Sequence, residues 1–137
     1  DVVIDVGTGT GILSIASALF GARHVYAYDL DELAVKSATL NIQRNNQQDK
    51  ITVQQNDLLS GVQLEADVIV ANLLADIVIR LAGDAGRVLR KDGCLIASGI
   101  VKNQQHEVEE KLISSGFSIE NTLELEGWIA IVAKFLG

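Results

Sequence analysis

Residues 2–11 read VVIDVGTGTG, a short run rich in β-branched residues that stops at three alternate glycines. A strand covered on both faces of a parallel sheet has this nearly continuous apolar pattern. Glycine permits backbone angles that are strained for other residues, and it lets a ligand approach the main chain closely. In open α/β sheets ligands bind beyond the carboxyl ends of the strands. Gly7, Gly9 and Gly11 are therefore candidate binding residues.

Short apolar runs alternate with helical patterns along the rest of the chain. Strands are predicted at 2–6, 25–28, 51–55, 68–71 and 94–97, and helices at 12–20, 32–44, 77–89 and 107–115. This alternation is typical of βαβ units around a parallel sheet. Two further strand-like runs, 117–125 and 128–135, are separated by only two residues, which parallel neighbours do not allow. We expect a three-layer α/β sandwich with a mostly parallel seven-stranded sheet and an antiparallel C-terminal hairpin.

Local signals support the first two helices. Asp31 is a good N-cap for the second, and Gly21 is a plausible terminator of the first. Apolar residues recur at helical spacing in both, namely Ile12, Leu13, Ile15, Ala16, Leu19 and Phe20 in the first and Leu33, Ala34, Ala38 and Ile42 in the second.

Composition excludes several classes of protein. The 137 residues suffice for about one domain, and 48% apolar with 21% charged residues is ordinary globular usage. No membrane-spanning run or signal peptide is evident. One cysteine, Cys94, and two separated histidines, His24 and His106, offer neither a disulfide nor a metal cluster, so a reducing, cytoplasmic setting is expected.

The net charge of −7 disfavours nucleic acid as the main partner and favours a basic protein. The chain contains no methionine and starts inside a predicted strand, so we expect an upstream region in the complete protein.

The glycine loop has competing interpretations. A dinucleotide site prefers G-x-G-x-x-G/A, and Ile12 stands where the third small residue belongs. A P-loop needs Gly-Lys-Ser/Thr, and no lysine precedes Lys36. Asp29 follows Gly7 by 22 residues, at the end of a predicted strand, where a carboxylate can accept two hydrogen bonds from a ribose diol. Asn56 and Asp57 end the next strand, where they could contact an adenine edge or simply form a turn.

These residues carry a family resemblance over essentially the whole chain. The loop DVGTGTG at 5–11, Asp29, the Asn56-Asp57 pair and the closing hairpin resemble the Rossmann-like S-adenosylmethionine-dependent methyltransferases. More narrowly, NLLA at 72–75, SGI at 98–100 and Trp128 look like the PrmA-type family, which methylates ribosomal protein L-eleven. That family carries its substrate-recognition domain and a further glycine loop upstream of the part that this chain resembles.

The resemblance implies a role for each matching residue. The cofactor S-adenosyl-L-methionine would lie with its methionine part against Gly7, Thr8, Gly9 and Gly11, with Asp5 helping to hold its ammonium. Asp29 would take the ribose hydroxyls, and Asn56 with Asp57 would lie at the adenine.

The resemblance also implies that Asn72 is the catalytic residue and that it contacts the cofactor. Related N-methyltransferases carry an Asn- or Asp-Pro-Pro-aromatic signature there. Leu73 and Leu74 replace both prolines, and the aromatic residue is absent, which favours an aliphatic amine as methyl acceptor over a planar nitrogen. Trp128 is interpreted as a packing residue of the core or the sheet edge.

The resemblance therefore implies that residues 1–137 form the catalytic domain of an N-methyltransferase. Its substrate would be lysine or α-amino groups of a basic ribosomal protein, with no direct nucleic-acid or membrane partner and no metal. Three alternatives remain open. They are a methyltransferase for a small molecule, a nicotinamide-dinucleotide domain, and a cofactor-binding fragment that is inactive alone.

Overall fold

A computed structural model describes residues 1–137. The strands are β1 (Val2–Val6), β2 (His24–Asp29), β3 (Ile51–Gln55), β4 (Ala66–Asn72), β5 (Leu89–Val101), β6 (Phe117–Leu125) and β7 (Trp128–Phe135). The helices are α1 (Ile12–Leu19), α2 (Glu32–Arg44), α3 (Ala75–Val88) and α4 (Gln105–Ser114), and a 3-10 turn spans Lys102–Gln104. The predicted order of elements is confirmed, and β1, β3, β6 and β7 have the predicted bounds.

All seven strands form one sheet in the order β3-β2-β1-β4-β5-β7-β6. The five strands β1 to β5 all run parallel to one another, whereas β7 runs antiparallel to its two neighbours, β5 and β6. The predicted sandwich with its C-terminal hairpin is confirmed. The chain passes from β1 outward to β2 and β3 and then returns to β4 on the other side of β1. This reversal opens a crevice at the carboxyl ends of β1 and β4, where ligands bind in such sheets.

The two faces of the sheet are covered unequally. On one face, α3 and α4 close a core of 25 buried residues that includes Ile4, Ile69 and Leu95. On the other, α1 and α2 pack over β1, β2 and β3 around a cluster of nine. That second layer does not extend over β5 and β7, where the paired residues Ile96 and Val132 are only half-buried. No helix is long and apolar enough to cross a lipid bilayer.

Apolar periodicity located α1 and α2 correctly and identified their buried faces in part. In α1 the sheet is contacted by Ser14, Ile15 and Ala18, while Leu19 and Phe20 are 64% and 93% exposed. Small side chains lie at the contact because α1 packs closely on β1 and β2 and because Ser14 bonds a buried carboxylate. In α2 the contact is made by Ala38 and Ile42, and Leu33 is exposed.

The boundary between α3 and β5 also differs from the prediction. Leu89, expected to end the helix, begins β5 and pairs with Ala66. The turn expected at residues 92–93 lies inside β5 as an irregularity, because Asp92 has a φ of +66° and the register with β4 shifts before Cys94. Asp31 caps α2 as predicted, its carboxylate accepting the N–H of Leu33 at 2.9 Å.

Candidate functional site

The loop between β1 and α1 needs its glycines. Gly7, Gly9 and Gly11 have φ angles of +75°, +57° and +87°, in the left-handed region that side chains with a Cβ disfavour. The main-chain N–H groups of Gly7 and Thr8 both donate to the carbonyl of Tyr28, at 2.8 and 3.0 Å. The loop is therefore held against the end of β2 and leaves bare backbone at the crevice.

Asp29, the last residue of β2, links that loop to the next. Its Oδ2 accepts the N–H of Gly9 at 2.9 Å, and its Oδ1 accepts the N–H of Asp31 at 2.9 Å. Each carboxylate oxygen retains a lone pair beyond these bonds. Asp29 is thus fixed in orientation while remaining able to accept hydrogen bonds from a ligand.

A cavity of about 150 Å³ lies in the crevice. It brings together four of the predicted residues, Gly7, Asp29, Asn56 and Asp57. Its opposite wall comes from the segment after β4 and from α3, through Leu73, Ile77 and Arg80. One wall is therefore acidic and hydrogen-bonding, and the other is mainly apolar. This combination suits a nucleoside, whose base is flat and apolar and whose sugar carries hydroxyls.

The turn after β3 forms one end of the cavity. Asn56 uses its Nδ2 to bond the carbonyls of Leu58 and Ser60, at 3.0 and 3.1 Å, so its amide mainly shapes the turn. Leu58 adopts a φ of +50°, and its N–H has no protein acceptor. The Asp57 carboxylate lies 3.7 Å from the Arg80 guanidinium. A backbone donor next to a carboxylate acceptor matches the paired acceptor and donor on the edge of adenine.

Asp5 lies behind the glycine loop rather than in the cavity wall. It is 1% exposed, and its Oδ2 accepts the hydroxyls of Thr8 and Ser14 at 2.9 and 2.7 Å. Its Oδ1 is the one buried side-chain polar atom of the chain that has no hydrogen-bond partner. Burial raises the pKa of Asp5, the Ser14 and Thr8 hydrogen bonds lower it, and the charge of Asp29 raises it.

Asn72 lies outside the cavity, at the exposed end of β4. Its side-chain amide makes no hydrogen bond to the protein, so both its donor and its acceptor are free for a ligand. Gly99 makes room for it, since a Cβ there would lie 2.5 Å from Asn72 Oδ1. Beyond Gly99 is a second, shallower depression beside Trp128. Trp128, expected to pack, is 56% exposed there.

Four residues of this region were not identified from the sequence as site residues. Leu73 packs over Gly7, where a Cβ would lie 2.5 Å from Leu73 Cδ2. Ile77 and Arg80 are three residues apart on α3 and share the face toward the cavity. Ser14 is a buried hydroxyl on an otherwise apolar helix face, which was a detectable signal. No three metal-ligating side chains come together in the chain.

Comparison with known proteins gives a consistent result. The family model described as ribosomal protein L11 methyltransferase (PrmA) matches residues 1–135. The ribosomal protein L11 methyltransferase of Anoxybacillus flavithermus is 54% identical over 98% of this chain and 43% of its own length. That of Halalkalibacterium halodurans is 52% identical over 96% of this chain and 42% of its own length. The chain thus spans less than half the length of the curated relatives it matches.

Solved structures agree with the fold. The crystal structure of a ribosomal protein L11 methylase from Lactobacillus delbrueckii subsp. bulgaricus superposes with a TM-score of 0.95 at 34% identity, covering 99% of this chain and 70% of that one. An RNA methyltransferase from Salinibacter ruber, in complex with S-adenosyl-L-homocysteine, has a TM-score of 0.79 at 22% identity, covering 99% and 81%. The second likeness is one of fold alone.

Proposed function

Because this chain belongs to the ribosomal protein L11 methyltransferase (PrmA) family, we propose that residues 1–137 are the S-adenosylmethionine-binding catalytic domain of a protein N-methyltransferase. The acceptor groups are amines, lysine side chains or an α-amino group, of a basic ribosomal protein. The observation that carries the proposal is the crevice beside β1, in which bare glycine backbone, Asp29 and Asp57 line one cavity.

The residues present fit the cofactor on three structural grounds. Gly7 and Leu73 pack closely in the cavity wall, where a Cβ on residue 7 would lie 2.5 Å from Leu73 Cδ2, so main chain without a side chain faces the ligand at residue 7. The Asp57 carboxylate and the unpartnered N–H of Leu58 complement the adenine edge. The buried Oδ1 of Asp5 lacks a partner, which suits a positively charged group nearby. Asp29 would hold the ribose hydroxyls. The loop around Thr8, Gly9 and Gly11 would hold the amino-acid end of the cofactor.

S-adenosylmethionine supplies a methyl group that its sulfonium already activates, so the chain's own residues have to position an amine. Fixed orientation of two reacting groups can contribute about 7–11 kcal/mol. Asn72, with a free amide at the end of β4, orients the amine together with nearby backbone carbonyls. A lysine ammonium, with an unperturbed pKa of about 10.4, must lose its proton first, and partial desolvation favours the neutral form. No single side chain is required as a base.

A methyl-transfer assay tests this proposal. The 137-residue chain is incubated with radiolabelled S-adenosylmethionine and ribosomal protein L11, and incorporation is compared with L11 whose amines have been acetylated. We expect incorporation into unmodified L11 only, and a rate about 5- to 12-fold lower for Asn72→Ala, since a lost hydrogen bond to the reacting amine costs about 1–1.5 kcal/mol. An unchanged rate for Asn72→Ala would remove that residue from catalysis.

Two other outcomes would change the assignment. Equal labelling of acetylated L11 would show that amines are not the acceptors. Binding of S-adenosylhomocysteine without any transfer would identify the chain as a cofactor-binding unit that needs further sequence for catalysis.

A further inference from the structure

We propose that Ser14 is a positioning residue for the amino-acid end of the cofactor, its hydroxyl orienting the buried Asp5 carboxylate and keeping it ionised beside the ligand's ammonium. This inference rests on the proposed function and adds to it a residue on α1 that lies outside the cavity. Asp5, Thr8 and Ser14 are the only polar or charged residues among the 39 that are buried. Their grouping at a single point therefore needs a physical explanation.

The geometry connects the three side chains closely. Ser14 Oγ donates to Asp5 Oδ2 at 2.7 Å, Thr8 Oγ1 donates to the same oxygen at 2.9 Å, and the two hydroxyls lie 3.2 Å apart. Ser14 is 0% exposed. Hydrogen bonds to a charged group are stronger than neutral ones, and two of them on one oxygen fix the carboxylate plane. They leave Oδ1 without a partner in a defined direction.

No positively charged side chain offsets the charge on Asp5. It forms no ion pair, and the charged group that acts on it is Asp29 at the end of β2, which has the same sign. Burial, and to a smaller extent Asp29, raise the pKa of Asp5, while the Ser14 and Thr8 hydroxyls and the main-chain N–H of Ser14 lower it. A buried carboxylate is costly without a cation. The ammonium of the cofactor's amino-acid end supplies one, whereas the nucleoside end at Asp29 and Asp57 carries none.

We expect Ser14→Ala to change the pH dependence of binding, and only for ligands that carry the amino-acid part of the cofactor. Removing the Ser14 hydroxyl raises the pKa of Asp5, so its protonation, and the loss of ammonium binding, begin at higher pH. A change of one pKa unit corresponds to a tenfold change in the equilibrium. We expect the acid midpoint of S-adenosylhomocysteine binding to rise by about one pH unit in Ser14→Ala. The affinity of Ser14→Ala for S-adenosylhomocysteine then falls by up to about tenfold at pH values below the midpoint, and it changes little at pH 8.

The experiment is calorimetric titration of the 137-residue chain from pH 4.5 to 8 with two ligands. S-adenosylhomocysteine carries the ammonium, and methylthioadenosine has the same nucleoside without the amino acid. Ser14→Ala is compared with Ser17→Ala, a control on the same helix whose hydroxyl bonds only the carbonyl of Leu13. We expect the midpoint to move for Ser14→Ala with S-adenosylhomocysteine only, and methylthioadenosine affinity to stay within about twofold throughout.

A second variant keeps the test decisive if Ser14→Ala does not fold. Thr8→Val removes the other hydroxyl bond to the same oxygen and should move the midpoint in the same direction. An unmoved midpoint in the variants, or equal weakening of both ligands, would overturn the role of Ser14 while leaving cofactor binding intact. If the unaltered chain binds neither ligand at any pH, the proposed function itself is wrong.

Discussion

The main-chain N–H of Gly9 donates a 2.9 Å hydrogen bond to Oδ2 of Asp29. This bond joins the loop after β1 to the last residue of β2, across 20 residues of sequence. A residue proposed to hold the ribose therefore also fixes the glycine backbone that is proposed to hold the amino-acid end of the cofactor. Changes at Asp29 should affect the whole cofactor site and not one contact alone.

Asp29→Ala should weaken S-adenosylhomocysteine binding by about 10- to 150-fold. A hydrogen bond to a charged group is worth about 1.5–3 kcal/mol, and each 1.4 kcal/mol is a factor of ten in affinity. Calorimetric titration measures the change. Asp49→Ala, in the exposed loop after α2, is the matched control and should bind normally. Undiminished affinity in Asp29→Ala would exclude that residue from the site.

Gly7→Ala and Gly9→Ala should differ in binding. Both replacements place a Cβ on a residue with positive φ, at a cost of about 1–2 kcal/mol in unfolding free energy. Only at position 7 does the Cβ meet a neighbour, Leu73 Cδ2 at 2.5 Å, whereas none lies within 4 Å at position 9. We expect Gly7→Ala to lose more affinity for S-adenosylhomocysteine, because Leu73 must move within the cavity wall. Leu73→Ala in the same chain should recover part of the loss, and equal losses in the two single variants would contradict this account.

Asp5→Asn should stabilise the ligand-free chain while weakening cofactor binding. Burial raises the pKa of Asp5 above its ordinary value of 3.8, so the folded chain holds this proton to higher pH than the unfolded chain. The free energy of unfolding therefore falls as the pH rises through that window. At pH 7 the asparagine variant should be more stable by about 1 kcal/mol, at the lower end of the cost of an unsatisfied buried group. Urea unfolding at pH 7 and pH 4 should show the difference shrinking in acid; a variant that is less stable at pH 7 would refute the prediction.

Asp67→Ala should destabilise the chain without affecting the cofactor. Asp67 Oδ2 accepts the N–H of Val2 at 2.7 Å and its Oδ1 pairs with Arg90, at the end of β4 away from the cavity. Both partners lower the pKa of Asp67, the Val2 hydrogen bond more than Arg90. Asp67 therefore adds to the free energy of unfolding above pH 3.8, and this stabilisation is lost as the pH falls through the folded-state pKa. We expect a loss of about 1–2 kcal/mol at pH 7, measured by urea unfolding, with unchanged S-adenosylhomocysteine affinity. Asp49→Ala, in the exposed loop after α2, is the control, since Asp49 has neither a positive φ nor an ion pair.

Features that depend on neighbouring residues were predictable from the sequence. The glycine loop, the cap at Asp31 and the hairpin across residues 126–127 follow from local backbone preferences, and the structure has all three. Strand ends also place Asp29 and Asp57 at one edge of a parallel sheet, and both line the cavity.

Features that depend on how elements pack were not predictable. Apolar spacing in α1 does not say that Ser14 and Ala18 face the sheet while Phe20 faces solvent. The Arg80–Asp57 pair joins α3 to the end of β3, and nothing near either residue indicates it. Asn72 was expected at the cofactor, but it lies beside the cavity, because Leu73 and not Asn72 points over Gly7. Its catalytic role stays a prediction.

Calorimetric titration of the chain with S-adenosylhomocysteine and, separately, with NAD shows whether the crevice beside β1 binds the nucleoside of S-adenosylmethionine. We expect a saturable heat with S-adenosylhomocysteine at one site per chain, abolished or strongly reduced in Asp29→Ala, and no comparable heat with NAD. Binding of NAD alone would contradict it.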